Sequence, residues 1–330
     1  VDIDLHMDVY QPLGDTMNDR PVIIFAHSGS FFTGSKDAQD MVALCEAAAK
    51  RGYVAISMEY RLGLNILSSY SGERAVYRGV QDGSAIIRYL REYHEEYNIN
   101  PDKIFFWGSS AGSFIGLHLA YLEDSERPLS TFGTNSDPDL GCIDCEGNDY
   151  LHSNKPTAVV STWGAISDLE FIDSYENIPV SLFHGTNDLV VPYDEGYPFT
   201  LNITLPYVYG SATISERMNS FNIDHNIVLE QNEPHEYYGA LNGNLDLGGG
   251  PNDFWDSITN ESFQFLYSYL NIKGDVNTDG LLNIQDIVII INFILNIEIP
   301  TDQEIEIADM NDDGTLNVLD VILIVDEITI

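Results

Sequence analysis

Between residues 20 and 270 the chain alternates short continuous apolar runs with longer segments whose apolar residues recur every three to four positions. The runs 22–27, 53–58, 103–107, 158–163, 179–184 and 226–231 predict strands buried on both faces. Helical spacing falls between them. Residues 37–51 place Met41, Leu44, Cys45 and Ala48 on one side and stop at Gly52. Residues 73–97 place Val76, Val80, Ile86, Ile87 and Leu90 likewise, and 111–122 and 254–270 complete the set. Buried strands separated by helices imply an α/β fold, a mostly parallel sheet with helices on both faces. Two stretches break the alternation: 123–156, rich in Asp, Asn, Gly and Ser, and 194–224, rich in aromatics with one short helix near Ile214. Both are long for plain connections, which places them as insertions at the sheet's working edge.

After Leu270 the composition changes. From Gly274 to Ile330 there is no Lys or Arg and there are thirteen Asp or Glu. The expected division is a domain over 1–272 and a small module over 273–330. Within the module, residues 275–286 recur as 309–320. Oxygen-bearing side chains occupy loop positions 1, 3, 5, 9 and 12: Asp275, Asn277, Asp279, Asn283 and Asp286, then Asp309, Asn311, Asp313, Asn317 and Asp320. Gly280 and Gly314 stand at position 6, and Leu281 and Thr315 at position 7 offer backbone carbonyls. Hard oxygen donors at this spacing around a turn glycine are the logic of an EF-hand calcium loop, so two calcium ions are expected. Each loop leads into an apolar segment, 287–295 or 321–325, that must pair or meet a partner.

Charge narrows the partners. Lys and Arg number 14 against 52 Asp and Glu, a net charge of −38. Such a surface repels phosphate backbones and anionic lipid, so neither nucleic acid nor a membrane is expected as a partner. No eighteen-residue apolar stretch is present, and the start at Val1 without Met suggests a processed N-terminus. Three cysteines do not make a disulfide scaffold; Cys142 and Cys145 are either a local loop disulfide or two free thiols.

Gly108-Ser109-Ser110-Ala111-Gly112 is a G-x-S-x-G pattern between a predicted strand and a predicted helix. A sharp turn there lifts the Ser110 hydroxyl above the sheet, and the helix N-terminus favours developing negative charge. A serine hydroxyl needs a base, and the base an orienting acid. Asp188, in His184-Gly185-Thr186-Asn187-Asp188, and His235, in Glu233-Pro234-His235, each follow a predicted strand. Asp194 is the rival acid, while His184 reads as a brace for its own loop. His27-Ser28-Gly29-Ser30-Phe31 follows the first strand, where the backbone N–H groups of Gly29 and Ser30, with that of Ala111, would face an oxyanion. Phe31, Phe32, Trp163 and Tyr193 are the expected substrate contacts.

Together with Tyr60-Arg61-Leu62-Gly63, these pieces resemble the α/β-hydrolase superfamily on its carboxylesterase side. The resemblance implies ester hydrolysis through an acyl-enzyme, in the order Ser110, Asp188, His235, with no cofactor for catalysis. The segment 164–178 is short where many lipase-like relatives carry a large helical cap, so an open site is expected, and the aromatics placed around it suit short acyl chains or aromatic acyl groups. Feruloyl or acetyl esters on polysaccharide side chains are the second enzymatic reading, and a silent hydrolase domain in an adhesion or scaffold component is the third. Residues 274–330 resemble a type I dockerin, which implies calcium, a cohesin-like protein partner and a secreted, extracellular location. Ile284-Gln285 and Val318-Leu319 replace the small hydroxyl pair of cellulosomal dockerins, which argues against a cellulosomal cohesin.

Overall fold

The computed structural model describes residues 3–14, 17–134, 137–175, 177–199, 205–270, 272–277 and 282–328. In chain order the elements are β1 (Met7–Tyr10), β2 (Arg20–Ala26), α1 (Gln39–Lys50), β3 (Val54–Met58), α2 (Ser69–Glu92), α3 (His94–Tyr97), β4 (Ile99–Ser109) and α4 (Ala111–Tyr121). Next come β5 (Val159–Thr162), β6 (Ala165–Ile166), β7 (Val180–Gly185), β8 (Glu195–Gly196), β9 (Val208–Gly210), α5 (Ser211–Phe221), β10 (His225–Glu230), α6 (Leu245–Gly248) and α7 (Asp253–Tyr267). The tail holds α8 (Ile284–Ile294), α9 (Asp302–Ala308) and α10 (Val318–Ile328). The chain forms two compact units, residues 1–262 and 263–330, divided within α7. Among the described residues no helix is long and apolar enough to cross a membrane.

In the first unit a seven-stranded sheet runs in the order β1-β3-β2-β4-β5-β7-β10. All its neighbours are parallel except β1, which pairs antiparallel with β3. The continuous apolar runs are buried on both faces as expected: Val22 to Ala26 and Ile104 to Phe106 are fully enclosed. The sequence pattern missed β1 because only four residues pair there and its apolar Val9 is exposed. It also missed the small sheet β6-β9-β8, whose strands are two or three residues long and too short to show a period. The helix expected over 73–97 begins earlier, at Ser69, where the Ser68 hydroxyl accepts from the Ser71 N–H. It breaks at Tyr93, and α3 then ends at Asn98, which adopts the left-handed conformation that terminates helices.

The segment after α4 has little regular structure, so its backbone carbonyls need other donors. One face of α2 supplies them. Arg74 donates to Ser130 and Pro138, Gln81 to Leu140 and Cys142, and Arg88 to Glu146 and Asn148. Cys142 and Cys145 are disulfide-bonded within this segment, and Cys45 is a buried free thiol.

In the second unit α8, α9 and α10 enclose a small core of Val276, Ile287, Ile290, Phe293, Ile307, Ala308 and Ile324. The apolar segments expected to pair do so here. The helix α9 had no clear apolar period; the Thr301–Glu304 capping box starts it.

Candidate active site

Strand β4 delivers Ser110 to the C-terminal edge of the sheet, beside the ends of β2 and β5. The chain reverses there into α4, and Ser110 itself sits at φ 51°, a left-handed conformation uncommon for serine. Two glycines make the turn possible. A Cβ on Gly112 would lie 2.0 Å from the Ala26 carbonyl oxygen, and one on Gly108 would lie 2.2 Å from the Gly112 backbone. Helix α4 therefore crosses β2 and β4 at a separation that only glycine permits. Gly112→Ala is expected to destabilise the first unit by about 3 kcal/mol, since the backbone on both sides must shift. Urea melts of the variant beside wild type measure this, and equal midpoints would remove the argument.

His235 bridges the two other predicted residues. Its Nδ1 lies 2.6 Å from Asp188 Oδ2 and its Nε2 lies 2.9 Å from Ser110 Oγ. With Nδ1–H donating to the carboxylate, Nε2 is left to accept the serine proton. The rival Asp194 is exposed, and its backbone carbonyl accepts from the Gly210 N–H and the Thr213 hydroxyl. His184, fully buried, stands 3.2 Å from Asp188 Oδ2 and touches Ser211 Oγ at 2.9 Å, so it braces the acid loop. The other carboxylate oxygen, Asp188 Oδ1, accepts from the N–H groups of Val190 and Val191.

Burial by itself would raise the Asp188 pKa, but the hydrogen bonds and charge of His184 and His235 outweigh it. Its carboxyl is held well below the ordinary carboxylate range. The stabilisation this gives is complete above about pH 4 and is lost as pH falls toward the folded-state value. Asp188→Asn is expected to make the stability-versus-pH curve shallower between about pH 4 and pH 2, read from urea melts. An unchanged slope would mean the two imidazoles do not hold the acid ionised.

The loop after β2 is anchored from several sides. The His27 ring stacks on Tyr60, whose hydroxyl donates to the His27 carbonyl at 2.8 Å, and the Gly63 N–H donates to Phe31. Gly29, Ser30 and Phe31 all have positive φ, which curls the loop over the sheet edge. Behind His235, Tyr238 donates to the buried Asp40 carboxylate at 2.6 Å, fastening the histidine loop to α1. Burial raises the Asp40 pKa to about 7.

Ser110 opens into a cavity, partly open to solvent, lined by residues of α2 and α4. Ser30 and Ala111 line it beside Ser110, whereas Gly29 is not among its lining residues. Ala111 is the first residue of its helix, so its N–H has no intrahelical partner. Of the four expected substrate contacts only Phe31 lines the cavity. Phe32 is 70% exposed because the curl of the loop turns it to solvent. Trp163 is fully buried, its indole N–H drawn to Ser109 Oγ at 3.0 Å and its ring edge-on to His235. Tyr193 lies on the chain leading to β8, outside the lining. The walls are instead Val76 and Tyr77 of α2, Phe114 and His118 of α4, and Val190, Val191, Phe199 and Leu205. The spacing of 111, 114 and 118 on one helical face was the only sequence signal for them, and it reads equally as core.

In the second unit the two loops are closed at their ends by carboxylates. Asp286 accepts from the N–H groups of Val276 and Asn283, and Asp320 from those of Met310 and Asn317. Asp275, Asp286, Asp309 and Asp320 are all buried. Asp309 accepts from the N–H groups of Asp313 and Gly314, while Asn311 pairs with Asp313. Thr315 and Asn317 complete the second loop, and Asn277 and Asn283 belong to the first. Asp279 and Leu281 lie outside the described residues. Among the described residues no three Asp, Glu, His or Cys groups are gathered around one point. The donor set is nonetheless all oxygen, which fits a hard divalent cation.

Comparison with known proteins agrees with both units. Residues 7–169 match the BD-FAE family model, and residues 273–329 match the Dockerin type I domain model. Carboxylesterase 3B of Mus musculus is 33% identical over 113 residues, 34% of this chain and 19% of its own length. The para-nitrobenzyl esterase of Bacillus subtilis is 27% identical over 121 residues, 36% of this chain and 24% of its own. The chain thus spans about a fifth to a quarter of these relatives. Thermogutta terrifontis esterase 2 phosphorylated by paraoxon superposes with a TM-score of 0.58 at 20% identity, covering 80% of this chain and 88% of that one. The mostly parallel sheet with helices is therefore the α/β-hydrolase fold, with residues 7–169 similar to the BD-FAE family and residues 273–329 similar to the type I dockerin domain.

Proposed function

We propose that the first unit is a serine carboxylesterase. The observation that carries this is the continuous Asp188–His235–Ser110 chain, with contacts of 2.6 and 2.9 Å, at the mouth of an apolar cavity. Ser110 Oγ attacks the ester carbonyl as His235 Nε2 takes its proton. Asp188 holds the imidazole with Nδ1–H toward itself and stabilises the imidazolium. The backbone N–H groups of Ser30 and Ala111, with Gly29 shaping the turn, receive the oxyanion. His235 then protonates the departing alcohol, and water repeats the sequence on the acyl-enzyme. Partial relatives named as carboxylesterases support this reading, as does the paraoxon-modified esterase with the same fold.

The cavity favours an acyl group larger than acetyl, and its Phe31 and Phe114 walls suit an aromatic one. An aromatic acyl ester borne on a polysaccharide side chain is the second reading, favoured by that lining. Hydrolysis of 4-nitrophenyl esters from acetate to palmitate, beside methyl ferulate, tests both. A profile peaking at acetate would reject the aromatic reading.

For the second unit the reading is a calcium-bound module. One loop would use Asp275, Asn277, Asp279, Leu281, Asn283 and Asp286; the other, Asp309, Asn311, Asp313, Thr315, Asn317 and Asp320. Bound calcium neutralises the buried acids and so holds the loops folded. The exposed Ile284, Val288, Val318 and Ile322 on α8 and α10 suit a cohesin-like partner, and such a module belongs on a secreted enzyme.

A further inference from the structure

The cavity that Ser110 opens into carries one unbalanced charge. Of the described residues lining it, Glu73 alone is an acid and none is Lys or Arg, while burial holds His118 neutral, with its pKa lowered to about 4. Four of the other polar side chains there are engaged with the protein. The Tyr77 hydroxyl donates to the Gly141 carbonyl at 2.9 Å, His118 Nε2 meets Ser167 Oγ at 2.7 Å, and Ser110 meets His235. Among the described residues nothing donates a hydrogen bond to the Glu73 carboxylate and no cation pairs with it. The basic residues nearest along α2 face elsewhere: Arg74 donates to Ser130 and Pro138, and Arg78 reaches toward the Gly63 carbonyl.

Its place on the helix explains why it faces the cavity. Helices α2 and α4 touch where a Cβ on Gly79 or Gly83 would lie 2.8 or 2.7 Å from Ile115 or Leu119. Glu73 is six residues before Gly79, about 9 Å along the axis at 1.5 Å per residue. Gly72, Glu73 and Val76 there line the cavity together with Phe114. A carboxylate on an apolar wall, half shielded from water, gains more from an incoming donor than one in bulk solvent.

We propose that Glu73 is a specificity-determining residue that selects esters whose cavity-bound group ends in a hydrogen-bond donor, a hydroxyl or an ammonium. This rests on the esterase reading above and narrows its substrate class. The donor is held by Glu73 while the ester carbonyl lies at Ser110, so the contact orients the substrate along the cavity. A substrate with the same apolar shape but no donor leaves the carboxylate desolvated and unpaired, which is the stronger source of discrimination.

The test compares kcat/KM of the full chain on four methyl phenylpropenoates bearing hydrogen, methoxyl, hydroxyl or aminomethyl at the para position. Wild type is expected to favour at least one donor-bearing ester over the hydrogen and methoxyl esters by about tenfold or more. Glu73→Ala should abolish that preference while leaving the unsubstituted ester within about twofold. Glu73→Gln separates the two donors, since it keeps a hydroxyl preference in part and loses an ammonium preference. Equal rates on all four esters in wild type, or a uniform fall in Glu73→Ala, would overturn the proposal. A wild type inert on all four and on 4-nitrophenyl butyrate would remove the esterase reading and this inference with it; an active enzyme without the preference removes the inference alone.

Discussion

Ser110→Ala is expected to lower kcat for ester hydrolysis by about 10⁴-fold or more, with KM changed by less than about threefold. The asymmetry follows from the geometry. Alanine removes the Oγ that His235 Nε2 approaches at 2.9 Å and leaves the cavity walls in place. Ground-state binding of the apolar group therefore survives, while the covalent step does not. His235→Ala should fall nearly as far, and the double variant little further, because residues that act as one unit are not additive. The check is a burst assay with 4-nitrophenyl butyrate: wild type should show an acyl-enzyme burst and Ser110→Ala none. Residual activity above a hundredth of wild type in purified Ser110→Ala would place the nucleophile elsewhere.

The second large effect concerns the acidic tail. Excess chelator is expected to abolish most of the helical signal of α8, α9 and α10 and to leave the hydrolase unit folded. Helices of eleven, seven and eleven residues are too short to persist alone in water, so their order depends on packing around Ile290 and Ile324. That packing forces Asp275, Asp286, Asp309 and Asp320 out of water. Backbone N–H groups satisfy some of their oxygens but do not cancel their charge. Calcium at a hundred times its Kd would add about 2.7 kcal/mol to the stability of this unit. Calorimetry with and without calcium should show one transition that moves and one that stays. Identical traces in excess chelator would rule out the calcium reading for both loops. Asp320→Ala should weaken one of two binding events in a calcium titration by about tenfold or more and leave the other.

Much of the hydrolase unit was legible before any coordinates. The strand ending at Trp107, the helix opening at Ala111 and the glycines at 108 and 112 define the turn at Ser110 locally, since each step depends on neighbours within a few residues. Asp188 and His235 were legible because parallel strands deliver their C-terminal loops to one edge, so chain order alone brings them near Ser110. The calcium-loop spacing was legible for a related reason: a twelve-residue loop closes on itself, and its ligands need no distant partner.

Substrate contacts behaved differently. Phe32, Trp163 and Tyr193 have the right chemistry, and Phe32 and Trp163 sit within two residues of important loops. Yet positive φ at Gly29, Ser30 and Phe31 sends Phe32 to solvent, and the Ser109 hydroxyl pulls the Trp163 indole beneath the sheet edge. Side-chain direction after a strained turn is decided by what it packs against, and an unaligned sequence does not contain that. The cavity shows the same limit. Glu73, Val76, Phe114 and His118 occupy ordinary helical positions, and only the crossing of α2 over α4 at Gly79 and Gly83 makes them a wall.

What the sequence by itself determined is the alternation that builds the parallel sheet, the turn that raises Ser110, and the two calcium-type loops, all set by short-range periodicity and backbone conformation. What only the tertiary structure decided is the edge strand β1, the small sheet β6-β9-β8, the choice of a bridge between Cys142 and Cys145, and the shape of the cavity. Each of these joins groups whose meeting depends on how far apart the packed elements come to rest, and that distance is a property of the whole core.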